Sequence, residues 1–328
     1  MLRWDSLGQV PPGFGPSAVT IGNFDGVHRG HQAILDQLVR RARALDLTSV
    51  AVTFHPHPAA VHDPAGSGPP ITGLESRLEL MAAHGLDAAL VVPYNSDFAQ
   101  TTPEEFARAY LVGALGARLV VVGRDVRFGR ANSGDLRTMA ALGSLLGFAV
   151  EALDDLGERD PSRQPGSRRR WSSTDVRRAL AEGDVDGAAR ALGRPHRVAG
   201  TVERGDGRGR GLGFPTANLG PDPDCLVPGD GVYAGWMTRL ALPEGDSDRV
   251  LPAAVSIGSN PTFGGGARRI EAHVPRREGL DLYGEGIAVD FIARLRPTLA
   301  FPGPAELAAQ MSRDVAAAEA LLARQPPP

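Results

Sequence analysis

Apolar positions follow two rhythms along the chain. In the first half, short β-branched runs recur at Ala18–Ile21, Val50–Phe54, Ala88–Val92, Leu119–Val122 and Phe148–Leu153. Between the first two runs, Ile34, Leu35, Leu38, Val39, Ala42 and Leu45 keep the spacing of a helix with one buried face. Thr102-Pro103-Glu104-Glu105 combines a reciprocal cap with proline at the first helical position, and predicts a helix to about Leu115. Strands that alternate with helices in this way predict an α/β unit with a parallel sheet covered by helices. Ligands of such sheets bind at the carboxyl ends of the strands.

The stretch from Gly157 to Arg170 is polar and rich in Pro, Gly, Ser and Arg, and reads as a mobile loop or linker. Two short helices are expected after it, from about Ser173 and about Asp184. Beyond Arg194-Pro195 the rhythm changes to strand-like segments at His196–Val202, Val232–Thr238, Ala253–Ile257, Arg269–Val274 and Ile287–Leu295, separated by Gly- and Pro-rich turns. That spacing predicts a small antiparallel β-barrel. A closing helix follows from about Pro304 to Ala323, with Leu307, Met311, Val315 and Leu322 on its apolar side. The expected division is therefore two different modules, residues 1–183 and 184–328.

Composition agrees with two cores. At ~150 residues per domain, 328 residues suggest two domains, and an apolar fraction of 42% is sufficient for both. The 35 basic residues are all arginine and face 38 acidic ones, for a net charge of −3. Bulk charge therefore argues against a nucleic-acid partner. The absence of lysine removes Schiff-base chemistry and the lysine-bearing phosphate loop. One cysteine, Cys225, excludes an intrachain disulfide and a thiolate metal cluster. No apolar run approaches ~18 residues and Met1 opens no signal peptide, so a soluble, cytoplasmic protein without a membrane partner is expected. The sequence leaves the oligomeric state open.

Two stretches carry chemistry. In the first, Thr20-Ile21-Gly22-Asn23-Phe24-Asp25-Gly26-Val27-His28-Arg29-Gly30-His31 follows a strand and opens a helix. His28 and His31 share one face of the first turn, glycines allow close backbone approach, and a helix start attracts anions. Such a turn suits a nucleotide α-phosphate; the other reading is two capping or surface histidines. A metal pair lacks a third ligand at suitable spacing. In the second stretch, residues 205–218, five glycines in nine positions precede Phe214-Pro215-Thr216-Ala217-Asn218. Gly207, Arg208 and Gly213 could approach and neutralise phosphates, although by composition alone this is an ordinary glycine-rich surface loop. The arginines lack the interleaved aromatics of a nucleic-acid surface.

The first stretch resembles the G-x-F-D-G-x-H-x-G-H signature of the bacterial bifunctional riboflavin kinase/FMN adenylyltransferase (FAD synthetase) family. The resemblance continues in Thr53-Phe54-His55-Pro56-His57-Pro58, Pro103-Glu104-Glu105-Phe106, residues 122–129, Ser172-Ser173-Thr174-Asp175-Val176-Arg177 and residues 214–218, in the family's order. It implies a Rossmann-like nucleotidyltransferase domain followed by a riboflavin kinase barrel. It also implies ATP, riboflavin and FMN as partners, FMN and FAD as products, and Mg²⁺ bound with ATP. By the same resemblance His28 and His31 contact the ATP phosphates as catalytic residues, within a nucleotide-binding turn of Gly22, Asn23, Phe24, Asp25 and Gly30. Asp125, Ser173, Thr174 and Arg177 close on the nucleotide. Pro215 and Thr216 bind ATP, Thr216 and Asn218 hold the metal, and Glu271 accepts the proton of the riboflavin hydroxyl. By position alone Glu271 is also an ordinary strand glutamate.

The sequence departs from the family pattern at Val126, His55 and Trp171, where Phe, Glu and a small aliphatic residue are usual. It departs again after Glu271, where Val274-Pro275-Arg276-Arg277 replaces an aliphatic-Leu-Asp run. The alternatives left open are a riboflavin kinase with an altered first module, and a non-catalytic flavin-binding regulator.

Overall fold

The computed structural model describes residues 1–154, 157–159, 168–204, 213–220, 225–258, 269–277 and 280–327. These separate into two compact units, Met1–Ser173 and Thr174–Pro328.

The first unit is built on strands β1 (Leu2–Trp4), β2 (Ser17–Ile21), β3 (Thr48–His55), β4 (Ala88–Pro93), β5 (Ala117–Gly123) and β6 (Ala149–Leu153). They form one parallel sheet in the order β1-β4-β3-β2-β5-β6. The central strands read as near-continuous apolar runs, and Val50–Val52, Ala88–Val92 and Val120–Val122 are buried. Burial on both faces demands that pattern. The covering helices include α1 (Arg29–Ala44), α2 (Pro58–His62), α3 (Leu74–Ala83), α4 (Pro103–Phe106) and α5 (Leu136–Leu146). Leu35, Leu38, Val39 and Ala42 of α1 pack into the core. Leu45, expected on that face, is 48% exposed because it follows the last helical turn. The expected cap of α4 is present: Thr102 Oγ1 accepts from the Glu105 N–H, and the Glu105 carboxylate accepts from the Thr102 N–H. The helix then runs on in wide π-type turns to Ala114.

The chain leaves β2 toward β3 and β4, then returns to its other side as β5. The crevice at such a reversal lies above the carboxyl ends of β2 and β5, and the loops after these two strands form its walls. Farther on, β7 (Gly157–Arg159) pairs antiparallel with β8 (Arg168–Arg170). The ends of the stretch expected to be a mobile loop are therefore a hairpin, built by backbone pairing that needs no apolar alternation. Residues 160–167 lie outside the described residues.

In the second unit, α6 (Ser173–Glu182) and α7 (Val185–Leu192) precede a closed antiparallel barrel. Its strands are β9 (His196–Glu203), β10 (Ala217–Leu219), β11 (Gly231–Arg239), β12 (Val250–Gly258), β13 (Arg269–His273) and β14 (Gly286–Arg296). The order around the barrel is β10-β13-β12-β11-β14-β9. Helix α8 (Pro304–Leu322) lays Ala318 and Leu322 on Ala234, Ala254 and Ile292. The same helix is held by Asp314, whose carboxylate takes two guanidinium nitrogens of Arg296 at 3.0 and 2.7 Å.

The division between the units falls before the 183/184 boundary expected from the sequence. Helix α6 goes with the barrel: the Gly229 N–H donates to Leu180 O at 2.7 Å and Arg294 Nη1 to Glu182 O at 3.0 Å. Val176 and Leu180 are buried.

Candidate active sites

The loop after β2 makes three left-handed residues, Phe24 (φ 49°), Gly26 (φ 79°) and Val27 (φ 40°), before α1 begins. His28 then caps α1, its Nδ1 accepting from the His31 N–H at 3.3 Å. The two imidazoles stack, with centroids 3.7 Å apart and planes at 19°. Phe24 is buried beneath them and meets His31 edge-on at 5.2 Å. At Gly30 a Cβ would come within 3.1 Å of the His28 ring, so the glycine is what lets that ring lie against the backbone. The capping reading therefore holds for His28.

Burial dominates the electrostatics. It pushes the His28 imidazole down to about 4, helped by Arg170, and drives His31 well below the ordinary histidine value, helped by His28, Arg170 and Arg77. Both rings are neutral near pH 7. A neutral His28 that accepts at Nδ1 carries its proton on Nε2, so it offers a donor there. His31 Nδ1 is enclosed with no hydrogen-bond partner among the described residues. Asp125, at the end of β5, forms an ion pair of 2.5 Å with Arg170. Ser173 Oγ donates to Asp25 O at 2.9 Å.

The structure therefore brings together Gly22, Asn23, Phe24, Asp25, His28, Gly30, His31, Asp125 and Ser173. Asp25, only 2% exposed, turns its carboxylate inward and accepts from the Ile71 and Thr72 N–H groups at 2.8 and 3.4 Å. Thr174 and Arg177 belong to the second unit. Val126 lies in the apolar core with Phe106 and Phe128. Sequence reasoning passed over Arg170, which stands inside a polar arginine run with no periodicity to single it out.

The second constellation lies across the barrel wall. Asn218 on β10 is register partner to Glu271 on β13 and to Glu203 on β9. Glu271 is in turn partner to Ser256 on β12. Ala217, Leu219, Ile270 and Ala272 are buried, so alternation sends Asn218 and Glu271 to the outer face. Among the described residues, Asn218 Oδ1 is enclosed without a hydrogen-bond partner, while its Nδ2 reaches Thr216 O at 3.5 Å. His273 holds Pro215 O at 2.8 Å through Nδ1, and its ring meets Phe214 edge-on at 5.3 Å. A cleft beside this row is lined by Pro215, Thr216, Val274, Arg277, Leu282 and Tyr283, among others. Gly213 sits at φ 85° where the glycine-rich stretch enters the barrel. Gly207 and Arg208 lie outside the described residues.

A parallel-sheet unit with a histidine pair at a helix start is thus followed in the chain by a closed barrel with an amide–carboxylate row. Comparison with known proteins gives the class. Residues 13–163 match the FAD synthetase family and residues 192–322 the riboflavin kinase family. The bifunctional riboflavin kinase/FMN adenylyltransferase of Escherichia coli K12 is 34% identical over 296 residues, covering 90% of each chain. The protein of the same name from Pseudomonas fluorescens is 38% identical over 305 residues, covering 93% of this chain and 92% of its own. A crystal structure described as a macrolide-efflux protein from Streptococcus pneumoniae shares the fold, with a TM-score of 0.82 and 26% identity over 97% of this chain and 98% of that one. That description is of the S. pneumoniae protein; among the described residues here, no helix is long and apolar enough to cross a membrane. The chain belongs to the bifunctional riboflavin kinase/FMN adenylyltransferase family.

Proposed function

We propose that the two sites perform successive transfers from ATP, the barrel phosphorylating riboflavin and the first unit adenylylating the FMN so formed. The observation that carries the reading is the placement of Asn218 beside Glu271, with an enclosed amide oxygen that meets no donor among the described residues. An acceptor left bare in this way suits a hard cation, and neutral side-chain oxygens suit Mg²⁺ that already shares the charge of ATP phosphates. Thr216 and Asn218 are the residues that would hold it. Bound there, Mg²⁺ offsets negative charge on the phosphates.

In the kinase step the riboflavin 5′-hydroxyl attacks the γ-phosphorus, the bond to the β-phosphate oxygen breaks, and ADP leaves. Glu271 takes the hydroxyl proton, which makes the oxygen a better nucleophile as the new bond forms. Pro215 and Thr216 line the cleft where ATP lies, and His273 fixes the Pro215 carbonyl from behind. Gly207, Arg208 and Gly213 complete the phosphate loop in this reading.

In the adenylyl step an FMN phosphate oxygen attacks the α-phosphorus of a second ATP, and pyrophosphate leaves. The nucleophile arrives ionised, so the protein's work is alignment and offset of charge on the leaving group. His28 and His31 serve as neutral donors there. Gly22, Asn23, Phe24, Asp25 and Gly30 shape the turn that receives the phosphates, with Asp25 as an internal brace. Asp125 and Ser173 complete the nucleotide contacts. Use of ATP and one unbridged cysteine support a cytoplasmic setting.

The deciding experiment incubates pure protein with riboflavin, ATP and Mg²⁺ and resolves the flavins by chromatography. FMN followed by FAD is the expected course. FMN alone would reduce the chain to a kinase, and unchanged riboflavin would leave only a flavin-binding protein.

A further inference from the structure

We infer that Arg77 is the positioning residue of the adenylyl-transfer site, acting through the Asn23 carbonyl on the turn that carries the histidine pair. The inference rests on the assignment of that pair to FMN adenylylation.

Arg77 lies in α3 and is only 3% exposed. Its Nη1 donates to Asn23 O at 2.8 Å and its Nη2 to Phe54 O at 3.0 Å. One guanidinium thus ties the segment leaving β2 to the end of β3. The tied segment is the strained one: Phe24 and Val27 are left-handed without being glycine. Such conformations persist only where the surroundings over-determine them. The restraints here are Arg77 on the Asn23 carbonyl, which Thr53 Oγ1 also reaches at 3.3 Å, the Asp25 carboxylate on the Ile71 and Thr72 N–H groups, the Ser173 hydroxyl on the Asp25 carbonyl, and Gln32 Nε2 on the Val27 carbonyl.

The partners of Arg77 also point to function. A buried arginine gains most from a bidentate carboxylate, as Arg296 does from Asp314. Arg77 instead gives both Nη groups to neutral carbonyls, and its Nε is enclosed without a partner among the described residues. Positive charge is therefore retained directly beneath a turn built for phosphates. Asp25 offsets part of that charge, and the field of Arg77 reaches His31, where it favours the neutral ring.

Because Arg77 acts through the turn, its contribution should pass through His31, and a double-mutant cycle reads that directly. We expect Arg77→Met to lower FAD-forming turnover by ~10–100-fold, the scale of a small misplacement of reacting groups. FMN formation from riboflavin, measured on the same samples, should stay within about twofold, because that chemistry resides in the other unit. His31→Ala should lower FAD turnover by ~10²–10³, as loss of one transition-state donor does. In the His31→Ala background the Arg77→Met factor should shrink below about threefold. Arg77→Lys, which keeps the charge but reaches one carbonyl, should recover part of the turnover.

Equal Arg77→Met factors in both backgrounds, or wild-type turnover by Arg77→Met, would overturn the inference. If Arg77→Met fails to fold, the cycle is run with Arg77→Lys. Wild-type turnover by Arg77→Lys would then mark a purely structural arginine and also overturn it. Wild-type FAD synthesis by His31→Ala is a different result: it overturns the histidine assignment itself.

Discussion

Asn218 and Glu271 stand directly opposite each other on neighbouring barrel strands. Opposed residues project from the same face, and neighbouring strands lie about 4.8 Å apart. The distance between the amide proposed to hold Mg²⁺ and the carboxylate proposed to accept the proton is thus set by backbone hydrogen bonds. No flexible loop has to close to bring them together.

Glu271→Gln keeps the shape of this pair and removes the base. FMN formation should fall by ~10²–10⁴ in turnover. FAD formation from supplied FMN should be unchanged. Steady-state assays of both products on the same variant check this, and near-normal kinase turnover would remove Glu271 from its role.

Asn218 presents an enclosed acceptor with no donor among the described residues, which costs stability when no cation is bound. Asn218→Ala should therefore leave the melting temperature in the absence of ligand unchanged or slightly higher. The Mg²⁺ concentration for half-maximal kinase activity should rise at least about tenfold. A Mg²⁺ titration of FMN production beside a ligand-free melt gives both readings. A large stability loss with unchanged Mg²⁺ demand would make Asn218 a structural residue.

His28 couples acid stability to the first site. Burial holds its pKa at about 4 against an ordinary 6.5. Between those values the unfolded chain binds a proton that the folded chain refuses, so stability is complete above pH 6.5 and falls as pH drops toward 4. The loss attributable to His28 is about 3 kcal/mol at the acid end. His28→Asn keeps a good capping side chain and removes this titration. Urea unfolding from pH 7 to pH 4 should show the variant gaining on the wild type as pH falls; a constant difference would contradict the linkage.

The unit boundary predicts where the chain can be cut. Starting a kinase fragment at Asp184 discards α6, uncovers the surface that Val176 and Leu180 bury, and strips the partners of the Gly229 N–H and Arg294. A fragment of residues 174–328 should melt cooperatively and make FMN. The 184–328 fragment should be less stable by ~3–6 kcal/mol, the scale of losing the burial of two apolar side chains. Equal melting temperatures would show α6 to be dispensable.

Most strands were legible because their apolar runs are four or more residues long and bounded by turn residues. The four that were not, β1 at Leu2–Trp4, β7 at Gly157–Arg159, β8 at Arg168–Arg170 and β10 at Ala217–Leu219, are three residues each, too short for alternation to register. They exist through their partners: β4 for β1, each other for β7 and β8, and β9 and β13 for β10. The histidine pair and the Pro-Thr-Ala-Asn segment were readable because several unusual residue types fall close together. Arg77 was not, since one arginine in an amphipathic helix looks like any solvent-facing one until its depth is known. Likewise the inward turn of Asp25 follows from the Ile71 backbone, which lies 46 positions away.

Ring closure has a consequence for how this chemistry can decay over evolutionary time. β10 is the shortest member of the barrel, yet it alone joins β9 to β13 and carries Asn218. Excising it would open the ring and expose two unpaired strand edges, which natural proteins avoid. The active segment is therefore protected by the architecture it completes. A descendant that abandoned phosphorylation would keep the backbone of residues 217–219 and lose only side chains, so that its former activity would stay written in the barrel as one or two point substitutions.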